Sequence, residues 1–108
     1  MKIQTGNIYS QVPDGLPDEL FEDIVATDEV KIERIVSLAH ASPPGFWYDQ
    51  GRDEWVILLR GSAGLLFQGP DETVVLKPGD WLNIPAHRKH RVEWTDSDEK
   101  TIWLAVHY

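Results

Sequence analysis

Four histidines and no cysteine set the terms for any chemistry in this 108-residue chain. Without cysteine there is no thiolate nucleophile, disulfide scaffold or zinc ribbon, and the only methionine is the first residue. Ser62 lies in a turn with no histidine arrangement around it, so no serine nucleophile stands out either. The most informative histidine is His90. In HRVEWT, His90, Val92 and Trp94 share one face while Arg91, Glu93 and Thr95 share the other, so a histidine opens an otherwise apolar, inward-pointing series. His107 reads as a packed or interface histidine beside Trp103 and Ala105, and His40 as a residue at a strand end.

Phe46-Trp47-Tyr48 follow a Pro-Pro-Gly turn and precede Asp49 and Gln50. Aromatics at the mouth of a barrel could stack a ring or a sugar, with Trp47 and Tyr48 as the surface and Tyr48 and Gln50 giving directional hydrogen bonds. Arg34 shares a strand face with Ile32, Val36 and Leu38. It either aims its guanidinium into the barrel, where it could clamp a carboxylate, or snorkels out to a structural acid. Arg88, Lys89 and Arg91 form the one basic cluster, which either steers an anionic ligand or balances surface charge.

The elements that position these residues divide the chain in two. Residues 1–30 form an acidic arm in which Leu16, Leu20, Phe21, Ile24 and Val25 recur at helical spacing, with Asp18, Glu19, Glu22 and Asp23 opposite. Pro17 and Asp18 suit a first helical turn, so the spacing predicts a short amphipathic helix over about 17–26. From Lys31 the period becomes two. Seven short strands are expected, at Lys31–Ala39, Glu54–Arg60, Gly64–Gln68, Thr73–Lys77, Trp81–Ile84, His90–Thr95 and Thr101–His107, broken by Pro, Gly and Asp turns. That pattern predicts an all-β sandwich or barrel over residues 31–108, one domain overall. EWVILLR and TIWLAVHY are apolar on both faces. A homodimer that buries one outer sheet face is therefore expected, unless the N-terminal arm covers it.

Gly79 to Trp94, GDWLNIPAHRKHRVEW, resembles the second motif of the cupin superfamily, with Gly79, Pro85 and His90 in its glycine, proline and histidine positions. His87 stands where the family has a glycine, and Trp94 where it has an asparagine. Glu54 and Gly61 match the end of the first cupin motif; its paired histidines fall on Tyr48 and Gln50 with one spacing, or on Trp47 and Asp49 with the other. The segments FWYDQ, DEWV and PAHRKHRVEWT are also similar to a narrower group of small single-domain cupins. The resemblance implies a double-stranded β-helix, or jelly-roll barrel, and a metal site of imidazoles and a carboxylate. At matching positions the chain supplies Glu54 and His90, with Asp49, Gln50 or His87 to complete the shell. Such a set would suit iron, manganese, nickel or zinc. The alternative is a metal-free barrel in which His90 bonds to Glu54 and the polar side chains hold a sugar or an organic acid.

A net charge of −8 argues against a nucleic-acid partner. The longest uninterrupted apolar run, Trp55 to Leu59, is too short to span a bilayer, and the first ten residues show no secretory signal, so a cytoplasmic location is expected. No organic cofactor is indicated. The expectation is a small cupin-fold protein with a polar cavity that binds a divalent metal and a small polar ligand, the fold alone naming no reaction.

Overall fold

Two antiparallel sheets face one another in the computed structural model, which describes residues 2–108. Its strands are β1 (Leu20–Ala26), β2 (Lys31–Ser37), β3 (Glu54–Arg60), β4 (Ala63–Phe67), β5 (Glu72–Leu76), β6 (Trp81–Ile84), β7 (His90–Thr95) and β8 (Thr101–His107). The larger sheet runs β1-β2-β8-β3-β6 and the smaller β5-β4-β7. This is the barrel that the turn-punctuated alternation predicts. There is no helix among the described residues, and so none long and apolar enough to cross a membrane.

The expected helix is instead the edge strand β1. It pairs with β2 from Leu20↔Val36 to Ala26↔Lys31, with a register shift between Asp23 and Val25. The shift explains the misreading, because one extra residue turns strict alternation into a spacing that imitates a helical stripe. A tight turn folds β1 back: the Thr27 N–H donates to the Val30 carbonyl at 2.8 Å, and Thr27 Oγ1 accepts from the Val30 N–H at 3.0 Å. A helix of about ten residues is marginal alone in water, whereas the edge of β2 presents a row of donors and acceptors to a strand.

Between the sheets lies a core of Ile35, Val56, Leu58, Ala63, Leu65, Phe67, Leu76, Ile84, Val92, Trp103 and Ala105. On the outer face of the large sheet the N-terminal arm is tied down by Arg34. Its Nε donates to Glu22 Oε1 at 2.7 Å, and its terminal nitrogens donate to the carbonyls of Ile8, Ser10 and Gln11 at 3.1, 2.6 and 3.3 Å. Val36 and Ile102, both outward-facing, are fully buried. The arm therefore covers the β1–β2 side, while Trp55, Ile57, Leu59, Leu104 and Val106 remain half-buried and Trp81 is exposed.

Backbone geometry explains two motif glycines. Gly61 has φ +84° and stands so close to Thr101 that a Cβ would collide with it. Gly79 has φ +94°, and its N–H donates to the Leu58 carbonyl at 2.8 Å, which pins the β5–β6 turn to β3.

Candidate functional site

The two sheets bring four unpartnered polar side chains to one cavity. Glu54 opens β3 on its inner face, and His90 opens β7 on the opposite sheet. Tyr48 lies beside β7 through a pair of backbone bonds, its N–H donating to the His90 carbonyl at 2.7 Å and its carbonyl accepting from the His90 N–H at 3.2 Å. Gln50 follows two residues later. All four line a cavity of about 60 Å³ together with Phe21, Trp103, His107, Glu19, Glu33 and apolar core residues. Among the described residues, the Tyr48 hydroxyl, the Gln50 amide, the Glu54 carboxyl and His90 Nε2 have no protein hydrogen-bond partner. His90 Nε2 and Glu54 Oε1 are 3.9 Å apart, too far for a hydrogen bond.

The orientation of His90 is fixed independently of Glu54. Its Nδ1 lies 2.9 Å from the Arg88 carbonyl, which can only accept, so Nδ1 carries the proton. The ring stacks between Tyr48 (5.3 Å between centroids) and Phe67 (5.7 Å). Burial holds its pKa below the ordinary imidazole range, outweighing the Arg88 carbonyl, and so favours the neutral form. A neutral imidazole protonated on Nδ1 presents the Nε2 lone pair to the cavity. Burial pushes the Glu54 carboxyl up; His107 and Lys31 pull it down and Glu33 pushes it up, with the net shift upward. Burial, helped by Glu19, Glu54 and Glu33, raises the Tyr48 phenol and keeps it a hydrogen-bond donor.

A second pair lines the same cavity that the residue types alone do not reveal. His107 Nε2 is 2.8 Å from Glu33 Oε1, and Lys31 Nζ is 3.4 Å from Glu33 Oε2. Burial raises the Glu33 carboxyl, but the His107 bond and the Lys31 and His107 charges outweigh it and leave it below its usual range. Cross-strand register makes this cluster: His107 faces Lys31 on one side and Glu54 on the other. Glu19 also reaches the cavity, accepting a hydrogen bond from Ser37, which in turn accepts from the Trp103 indole.

Several expected site residues lie elsewhere. Arg34 points to the outer face and anchors the arm, so it clamps no ligand in the barrel. His87 and Asp49 pair with each other at 2.8 Å on the surface, side chains 72% and 43% exposed, and do not line the cavity. His87 has φ +65°, the conformation that favours glycine and matches the family's choice there. Trp47 does not line the cavity; the Arg91 guanidinium stands 6.0 Å from its ring. The basic cluster serves the backbone: Arg91 donates to the carbonyls of Ser42, Pro43 and Phe46, and Arg88 to those of Gln68 and Pro70.

Catalytic transition-metal centres commonly take three protein ligands. Here the four motif positions hold Tyr48, Gln50, Glu54 and His90. Tyr48 keeps its proton, Gln50 offers a neutral amide, and only Glu54 and His90 are strong donors. Among the described residues no three His, Asp or Glu side chains are placed to share an ion. The donor set does not fit a centre held by protein ligands alone.

Two antiparallel sheets closing on a small, mainly apolar cavity that the four motif residues line define a β-barrel of the double-stranded β-helix class. The family model for the cupin domain matches residues 36–107, and the chain belongs to that family. It is 52% identical, with TM-score 0.93 over 97% of both chains, to a Ralstonia eutropha JMP134 protein provisionally named a mannose-6-phosphate isomerase. A cupin superfamily protein of Desulfitobacterium hafniense DCB-2 shares the fold at 20% identity and TM-score 0.73, over 89% of this chain and 82% of that one. Hydroxypropylphosphonic acid epoxidase from S. wedmorenis shares it at 12% identity and TM-score 0.69, over 83% of this chain and 51% of that one. No protein of curated function matches the chain by sequence.

Proposed function

We propose that this cupin binds a small polar organic molecule inside its barrel. The ligand sits between the Glu54 carboxyl and His90 Nε2, with Tyr48 and Gln50 supplying hydrogen bonds. One observation carries the reading: these four side chains turn unpartnered polar atoms to a single cavity. Other buried polar groups around them are bonded, Glu33 to His107 and Ser37 to both Glu19 and Trp103. None of these polar atoms is sealed away without a partner, Arg91 Nε being the one such atom among the described residues, so the four stay open to a molecule that enters the cavity.

The chemistry within reach is proton transfer. Burial raises the Glu54 carboxyl and lowers the His90 imidazole, which draws their protonation ranges together, and they stand on opposite sides of a bound molecule. A sugar phosphate, the substrate class suggested by the name of the R. eutropha relative, is poorly supported for this chain. The cavity of about 60 Å³ is far below the ~300–1,000 Å³ of sites for drug-sized molecules, and no Lys or Arg lines it.

The test is a titration of ¹⁵N-labelled protein with a library of two- to five-atom polar fragments, following the His90 ring and the Trp103 indole. Saturable shifts in both, weakened by Glu54→Gln and by His90→Ala, are the expected result. Absence of any saturable shift, or binding unaffected by both variants, overturns it. Elemental analysis of untagged protein accompanies the titration. Near-stoichiometric iron, manganese, nickel or zinc that disappears in Glu54→Gln would replace this reading with a metal site on Glu54 and His90.

A further inference from the structure

Resting on that reading, we infer that the ligand of the barrel cavity is a small organic cation, a primary ammonium group on a chain of a few atoms. Three carboxylates reach the cavity from three segments of chain: Glu19 ahead of β1, Glu33 on β2 and Glu54 on β3. Glu19 and Glu33 have protein partners, Ser37 for the first and His107 and Lys31 for the second. Glu54 has none. Its residue is 7% exposed, and its carboxyl turns into the space it shares with His90.

The surroundings of that carboxyl contain hydrogen-bond acceptors and π faces, no Lys or Arg lines the cavity, and the nearest positive groups, His107 and Lys31, are engaged by Glu33. His90 Nε2 presents a lone pair, because Nδ1 is committed to the Arg88 carbonyl. His107 Nε2 faces Glu33. Tyr48, Phe21 and Trp103 supply aromatic surface. An ammonium has three donors and no acceptor, and Glu54 Oε1, His90 Nε2 and the Gln50 amide oxygen offer three acceptors around one space. Aromatic walls favour a cation further. An anion meets the opposite arrangement. The cavity-lining residues include no Lys or Arg; Lys31 touches Glu33 from a half-exposed position, and Arg88 and Arg91 are held by backbone carbonyls outside. A carboxylate or phosphate would lie against Glu54 with only His107 and Lys31, both already engaged by Glu33, to offset the repulsion.

Size narrows the class. About 60 Å³ open to the centres of water-sized groups compares with ~10–15 Å³ on the same measure for one water, room for a handful of such groups. A methylammonium or ethylammonium ion is on that scale, and a hexose is not.

The experiment compares methylammonium chloride with methanol, sodium acetate and sodium phosphate at constant ionic strength and pH 7.5. The readouts are the Trp103 indole and His90 ring resonances and the thermal midpoint. Methylammonium should shift both resonances saturably and raise the midpoint at a concentration at least tenfold below that needed for methanol. Acetate and phosphate should do neither. Glu54→Gln, checked for folding by its own midpoint, should weaken methylammonium by about tenfold and methanol by no more than about twofold. The wild-type ranking decides the matter even if that variant does not fold. Tighter binding of acetate, phosphate or methanol at the same resonances overturns the charge class while the binding cavity stands. Silence from all four probes overturns both.

Discussion

Replacing Glu54 by glutamine should stabilise the protein, although the residue is buried and opens a core strand. The residue is 7% exposed, and its side chain has no protein hydrogen-bond partner and lies 3.9 Å from His90 Nε2. Burial disfavours the charged carboxyl, and the penalty for desolvating such a group is ~1–3 kcal/mol or more. Glutamine keeps the shape and removes the charge, so a gain of about 1–2 kcal/mol at pH 7–8 is expected. In a domain of this size each kcal/mol moves the midpoint by roughly 4–8 °C. The groups facing Glu54 are His107 on β8, Glu33 and Lys31 on β2, His90 on β7, and Tyr48 beside it.

The pH dependence carries a definite sign. Burial raises the native Glu54 carboxyl above its unfolded value of ~4.3. Its contribution to stability is therefore intact below about pH 4 and is lost as pH rises through the native value. The variant lacks that loss. Its advantage should be small at pH 5 and widen to a plateau by pH 8 in urea unfolding followed by tryptophan fluorescence. The His90 effect has the opposite sign: its lowered native pKa gives stability that is intact above ~6.5 and lost as pH falls through the native value. To first order that loss is common to both proteins and cancels in the difference. A variant destabilised by ~3–5 kcal/mol, the usual result of breaking a buried ion pair, would refute the reasoning and make Glu54–His90 a structural pair. So would a difference that does not vary with pH.

Arg34→Met should cost ~1–3 kcal/mol and free the N-terminal arm, because three backbone carbonyls and Glu22 lose their donor; hydrogen exchange at residues 8–11 would show it, and unchanged protection would contradict the latch. Gly61→Ala should lower the urea midpoint by the equivalent of ~1–3 kcal/mol, since φ is +84° and a Cβ meets Thr101; an unchanged midpoint would contradict that account. We propose that a second copy of the chain covers the strip of Trp55, Ile57, Leu59, Trp81, Leu104 and Val106, because an uncharged face is where two copies of net charge −8 meet with least repulsion. Sedimentation should then give twice the chain mass for the wild type and the single mass for Trp81→Glu; a monomeric wild type would dismiss the interface.

How far the sequence reveals these features depends on how many faces of each strand are covered. In β7 one face is polar at Arg91 and Glu93, so the alternation puts His90 and Val92 inside. A register shift against β4 breaks it beyond Val92, and Trp94, expected inside, is exposed while Thr95 is buried. β3, β6 and β8 are bounded correctly by their turns. In β2 every residue from Glu33 to Ser37 is buried, with the barrel beneath and the arm above. Alternation there carries no parity, and a one-residue inversion exchanges Arg34 for Glu33 as the inward residue. The Glu33–His107 pair was hidden for the same reason, its members standing 74 residues apart and joined only by the β2–β8 register. In β1 the register shift hides the period altogether.

The motif residues also separate what makes the barrel from what acts inside it. Gly61 and Gly79 adopt positive φ, and the Gly79 N–H holds a turn to β3. Those requirements belong to the backbone and persist whatever the cavity binds. The four side chains at the first-motif and second-motif site answer to no such requirement, and here two of them are Tyr48 and Gln50. His90 explains how the site keeps its shape with that substitution. An imidazole bound to a metal is oriented in part by the ion, whereas this ring is oriented by the Arg88 carbonyl on one nitrogen and by Tyr48 and Phe67 on its two faces. The same tyrosine that stands in a ligand position therefore also holds the remaining histidine in place. Nε2 and the Glu54 carboxyl are left aimed at a common point, free to engage whatever enters.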